Sequence, residues 1–117
     1  MDQVASATVL NSAAIQGNLE RVTTLLDSGV SAEPPGAKAT SALWHAASNG
    51  RLDIAKLLLA RGARTERTDA TSDMTPLLSA AARGHHNVVT MLLEHGASLK
   101  ATDQNGATAL LSAVRHG

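Results

Sequence analysis

The sequence predicts an all-α protein, a solenoid of stacked helix-turn-helix units with exposed hairpin-like fingers between them. Three observations carry that prediction. First, Gly17, Gly50, Gly84 and Gly117 recur at steps of 33, 34 and 33 residues. Second, their neighbours repeat in register: Leu10, Leu43, Leu77 and Leu110 precede each glycine by seven residues, and Ala13, Ala46, Ala80 and Ala113 by four. Gly29, Gly62 and Gly96 follow the first three glycines by twelve. A period of this length marks a repeat architecture, because a two-helix unit cannot bury its own apolar face and has to stack on a neighbour. Third, 44% of the 117 residues are hydrophobic but only 1% are aromatic, so apart from Trp44 the packing falls to Ala, Leu and Val. Small side chains of this kind imply close helix contacts.

The chain length suits one domain across 1–117. Within it the columns place a first repeat at about 8–40, a second at about 41–73, a third at about 74–106, and the opening of a fourth at 107–117. Each repeat reads helix, turn, helix, finger. In "TPLLSAAARG", Thr75 is the expected N-cap. Pro76 follows at the first helical position, where its missing N–H costs nothing, and Gly84 is a left-handed stop. "HNVVTMLLEHG" then sets Val88, Val89, Met91, Leu92 and Leu93 on a broad apolar face and ends at Gly96. The polar stretch "ASLKATDQNGAT" carries the tight-turn pair Asn105-Gly106 and reads as a finger. One residue is inserted between Gly62 and Thr75, and the finger "EPPGAK" is proline-rich, so finger shapes should differ.

The two ends carry their own expectations. Arg21 and Thr24 stand where later repeats have Ile54 and Leu57, or Val88 and Met91, which suits the polar outer face of a capping repeat. At the other end, Leu110, Leu111 and Val114 have no second helix to cover them. This predicts a longer natural chain, or association through an uncapped C-terminal face, with the fastest amide exchange at 108–117.

Formal charge is zero, which gives no overall bias toward nucleic acid or membrane. The distribution is uneven: in residues 1–36, Asp2, Glu20, Asp27 and Glu33 oppose Arg21 alone, −4 + 1 = −3, leaving +3 for the remainder. The absence of cysteine excludes disulfides and thiolate metal sites and fits a reducing compartment. An acid near the start of "MDQVASATVL", with no apolar run behind it, argues against a secretory signal. No apolar stretch approaches the length of a membrane span. An intracellular location is expected, with the cytoplasm preferred over the nucleus.

Few residues suggest chemistry. His85 and His86 are adjacent, so on a helix they point about 100° apart, whereas a helical zinc pair needs one face at i and i+4. His95 and His116 lie near helix C-termini, where an imidazole suits the dipole. Ser12, Ser79 and Ser112 recur at the repeat period and form a structural column rather than nucleophiles. No catalytic motif or phosphate loop appears, so no catalytic residue, metal or cofactor is expected. The basic run "RGARTER", with Arg61, Arg64 and Arg67, fits an acidic protein patch better than nucleic acid, because a single aromatic gives no base-stacking platform.

"TPLLSAAARGHHNVVTMLLEHGA" resembles the ankyrin repeat, whose consensus runs T-P-L-H-x-A-A-x-x-G-H and then V-V-x-L-L-L-x-x-G-A, and "SALWHAASNGRLDIAKLLLARGA" is a second copy. Residues 8–40 resemble a diverged first copy. Two departures stand out. The family's TPLH histidine, which ties neighbouring loops, is replaced by Asn11, Trp44, Leu78 and Leu111. His45 stands one position late and is not expected to substitute. A finger asparagine usual in the family is replaced by Glu33, Glu66 and Lys100, so the hydroxylation known in some members has no matching acceptor.

The resemblance implies a noncatalytic protein-protein interaction module that binds a protein or peptide partner on a concave face and its fingers. A structural spacer or capping segment without a partner is the alternative. By resemblance the contact residues are Lys38, Thr40, Ser48 and Asn49; Thr71, Ser72, Met74 and Arg83; and Gln104, Asn105 and Ala107. Trp44 either fills a gap between repeats or joins that set as an anchor.

Overall fold

The computed structural model describes residues 3–34 and 39–100, together with Thr102. Among these residues six helices follow one another: α1 (Gln3–Gln16), α2 (Leu19–Asp27), α3 (Ala42–Ser48), α4 (Leu52–Ala60), α5 (Pro76–Ala82) and α6 (His86–Glu94). They pair within each repeat as α1 with α2, α3 with α4, and α5 with α6. Between repeats, α1, α3 and α5 stack in one row and α2, α4 and α6 in a second. The envelope of 41 × 25 × 22 Å is longest in one direction, as stacking requires. The fourth repeat's opening lies outside the described residues.

Burial explains the row of first helices. Leu10, Leu43 and Leu77 are buried, and the pairs Ala13-Ala14, Ala46-Ala47 and Ala80-Ala81 sit between them with almost no exposed surface. Methyl-sized side chains at these positions let the helix backbones approach. On the second row the buried groups are Val22, Leu25 and Leu26; Ile54, Ala55 and Leu58; and Val88, Met91 and Leu92. Arg21 and Thr24, in the columns of Ile54 and Leu57, are exposed.

Local chemistry sets most boundaries. Ser41 and Thr75 cap α3 and α5, their hydroxyls accepting from Trp44 N and Leu78 N, and Pro76 opens α5 as expected. Gly84 and Gly96 adopt φ of 76° and 88°, the left-handed stops that the sequence predicts. The first helix departs from the pattern. It begins at Gln3, ahead of the expected repeat start at residue 8, because Thr8 lies inside the helix instead of capping it and no proline intervenes.

Candidate functional site

The finger before α5 is built around Asp69. Its amide donates to Met74 O at 2.8 Å, and the Asp73 amide donates back to Asp69 O at 3.2 Å, which closes a compact loop. The Asp69 carboxylate accepts from Thr40 Oγ1 at 2.9 Å, Thr71 Oγ1 at 2.9 Å, Ser72 Oγ at 2.7 Å and Ser72 N at 3.1 Å. Burial works to raise its pKa, but these hydrogen bonds outweigh burial and bring it down to about 2. Thr40 also accepts from Ala70 N at 3.1 Å, so the preceding finger is bound into the same cluster.

The turn that ends this finger has a special backbone conformation. Asp73 takes φ of 56°, a left-handed conformation that no other non-glycine residue adopts among those described. A short polar side chain tolerates that region, and the position, two residues before Thr75, is the one that Gly106 holds before Thr108.

Trp44 is neither a plain core residue nor a free anchor. It is half-buried, and its indole Nε1–H donates to Met74 O at 2.9 Å, across the boundary to the next repeat. Asn11, one repeat earlier, donates from Nδ2 to Thr40 O at 3.1 Å. Both acceptors immediately precede the N-cap of the next first helix. Two different side chains therefore make the loop tie that the resemblance assigns to a histidine. His45 stands beside Trp44 with its ring perpendicular and centroids 5.4 Å apart. Burial lowers the His45 pKa, and the nearby Asp69 charge opposes that shift.

Of the residues expected at a contact surface, Thr40, Trp44, Thr71, Ser72 and Met74 thus meet at one finger junction. Asn49 and Arg83 are exposed, but they cap the C-termini of α3 and α5, the opposite ends of those helices from the finger. Ser48 is corrected: it is only 2% exposed, and its hydroxyl is hydrogen-bonded to that of Ser79 in the next repeat. As the last residue of α3, directly before the C-cap Asn49, it faces the neighbouring first helix rather than solvent. Lys38, Gln104, Asn105 and Ala107 lie outside the described residues. Asp69, the centre of the cluster, was missed, although an Asp followed by Thr71 and Ser72 carries the signal of a side-chain-closed turn.

The histidine pair divides. His86 is exposed, while the half-buried His85 donates from Nε2 to Ser48 O at 3.0 Å in the preceding repeat. Arg51 does the same one repeat earlier, from Nη2 to Ile15 O at 3.3 Å. His95 donates from Nδ1 to Met91 O at 2.9 Å, at the end of its own helix. Among the described residues, no group of three or more His, Cys, Asp or Glu side chains is placed to hold a metal ion. No helix among them is long and apolar enough to cross a membrane.

The basic run is also largely engaged within the stack. Arg61 pairs with Asp27 at 2.6 Å, and Arg67 reaches Glu33 at 3.3 Å and Ala39 O at 3.2 Å. Glu33 accepts from Arg64 N at 2.6 Å, and Glu66, its counterpart one repeat on, accepts from Ser98 N at 2.8 Å. Glutamates in the family's asparagine column thus tie each finger to the next.

The family model described as Ankyrin repeats (3 copies) matches residues 1–69 and 62–117, which together span the chain. No curated protein sequence matches it.

Proposed function

Since the chain belongs to the ankyrin-repeat family, whose repeats are generally protein-protein interaction modules, we propose that it is a noncatalytic module that recognises a protein or peptide through its finger side. The observation that carries this reading is the convergence of Thr40, Trp44, Thr71, Ser72 and Met74 on one finger junction. The junction is held by bonds between repeats, so a partner meets side chains that are already ordered and binding loses little conformational entropy. Trp44, fixed at its nitrogen, has the character of a rigid aromatic anchor. Asn49 and Arg83 extend the contact surface along the exposed helix ends, with Lys38, Gln104, Asn105 and Ala107 as further contacts. The partner is a protein or peptide, not nucleic acid or membrane, and the protein works inside the cell.

The test is quantitative affinity capture with the whole chain and a variant carrying Asn49, Thr71, Met74 and Arg83 changed to Ala. Loss of the captured partners with unchanged helical circular dichroism supports recognition through this surface. An unchanged set of partners would overturn it and favour a structural spacer.

A further inference from the structure

Recognition at the finger junction has a sign. From Thr68 to Met74 the chain carries Asp69 and Asp73 and no Lys or Arg, a local charge of −2. The two carboxylates differ in availability. Asp69 is saturated by four donors. Asp73 is exposed, and its side chain has no hydrogen bond or ion pair among the described residues. The cation nearest in sequence, Arg67, is held by Glu33 and Ala39 O.

Asp73 also directly precedes, in the chain, the residue that binds the indole. Its neighbour Met74 supplies the carbonyl that receives the Trp44 indole N–H. With that N–H engaged, the indole offers a partner only its π-surface, and Met74 adds a half-buried, polarizable thioether. A carboxylate without a partner among the described residues, on the same finger whose Met74 carbonyl fixes the indole, matches a side chain with a cationic head and an apolar stem. The left-handed backbone at Asp73 fixes where the carboxylate is presented; Asp73 stands two residues before Thr75, as Gly106 stands two before Thr108.

Resting on the recognition reading above, we propose that the 69–74 finger and Trp44 form a subsite for an arginine or lysine side chain of a peptide partner. The positive head pairs with the Asp73 carboxylate, while the methylene stem lies against Trp44 and Met74. An acidic peptide is repelled by the same charge.

Trp44 is the only tryptophan in the chain, so its fluorescence reports on the subsite directly. The whole protein is titrated with three blocked tetrapeptides that differ at one position, bearing Arg, norleucine or Glu beside a leucine. The Arg peptide should give a saturable change in emission that weakens as salt is raised, and the Glu peptide none. Asp73→Asn keeps a residue that tolerates the left-handed backbone but removes the charge, and it should weaken the Arg peptide by about tenfold. Asp73→Gly should weaken it equally while leaving the melting temperature unchanged or higher, which separates lost charge from lost fold. Equal responses to the three peptides, no saturable response to Arg, or full affinity in Asp73→Asn would each overturn the subsite. If affinity capture identifies a partner through this surface while the Arg peptide is silent, only the subsite fails. If the Arg peptide binds but the four-site variant keeps all its partners, the recognition reading fails instead.

Discussion

The imidazole of His85 lies across Gly50 of the preceding repeat: a Cβ built on Gly50 would stand 2.7 Å from His85 Nδ1. The same ring holds Ser48 O through Nε2, so it cannot move away without losing that bond. Gly50 is consequently required twice, once for its φ of 69° and once for the space above it. Gly84 has a similar φ of 76° with nothing within 4 Å of the built Cβ among the described residues.

These two glycines give a double-mutant test. Gly84→Ala should cost only the left-handed strain of about 1–2 kcal/mol. Gly50→Ala should cost more, because the His85 ring is displaced as well. In a His85→Ala background the excess should vanish, leaving a coupling energy of about 1 kcal/mol by urea denaturation. Strict additivity would show that the ring and the glycine do not depend on one another. Gly17→Ala makes a softer collision, since the group above it is the flexible end of Arg51.

The buried Ser48–Ser79 pair should show the asymmetry of hydrogen bonds in a dry interior. Either single change to Ala strands the other hydroxyl and should destabilise by about 1–2 kcal/mol. The double change removes both polar groups and should cost clearly less than the sum of the singles. Thermal denaturation of the four proteins measures this, and an additive double variant would contradict it.

Asp69 controls an acid-sensitive part of the stability. Its pKa lies at about 2 in the fold against an ordinary 3.8, so its contribution is complete above the unfolded value and disappears as pH falls toward 2. Contact with solvent limits that contribution to about 1 kcal/mol. Asp69→Asn should be less stable at neutral pH and should show a flatter decline between about pH 4 and pH 2. His45 acts in a different window: its pKa is lowered by burial, so its protonation disfavours the fold as pH drops below 6.5. Parallel acid limbs for Asp69→Asn and the parent would refute the assignment.

The glutamate ties between fingers should be visible in amide exchange rather than in global stability. Glu66→Ala frees the Ser98 amide and should accelerate its exchange several-fold, while the Arg64 amide, held by Glu33, should be unchanged. Global stability should shift by no more than about 0.5 kcal/mol, since the pair is exposed. Glu66→Gln keeps an acceptor and should preserve most of the protection. Equal acceleration at both amides would indicate general loosening instead.

What the sequence determined by itself was the frame. Each glycine stop, the Thr75 and Ser41 caps, Pro76 at the head of α5 and the alanine pairs act within a few residues of their own backbone, so spacing alone discloses them. The repeat period then leaves one way to bury the apolar faces. Tertiary structure decided what each column does once stacked. Asn18, Arg51 and His85 occupy one column, yet Asn18 caps its own helix by accepting from Arg21 N at 3.0 Å, while Arg51 and His85 reach back to the repeat before. Asn11 and Trp44 share a tie without sharing chemistry, and Ser48 faces Ser79 instead of solvent. Those contacts join residues about thirty positions apart, where geometry depends on the offset between neighbouring repeats and on finger length. Asp73 holds a left-handed conformation in the column where the next finger carries Gly106, but that its finger closes around Asp69 and Thr40 of the finger before was decided only by the stacking of the repeats.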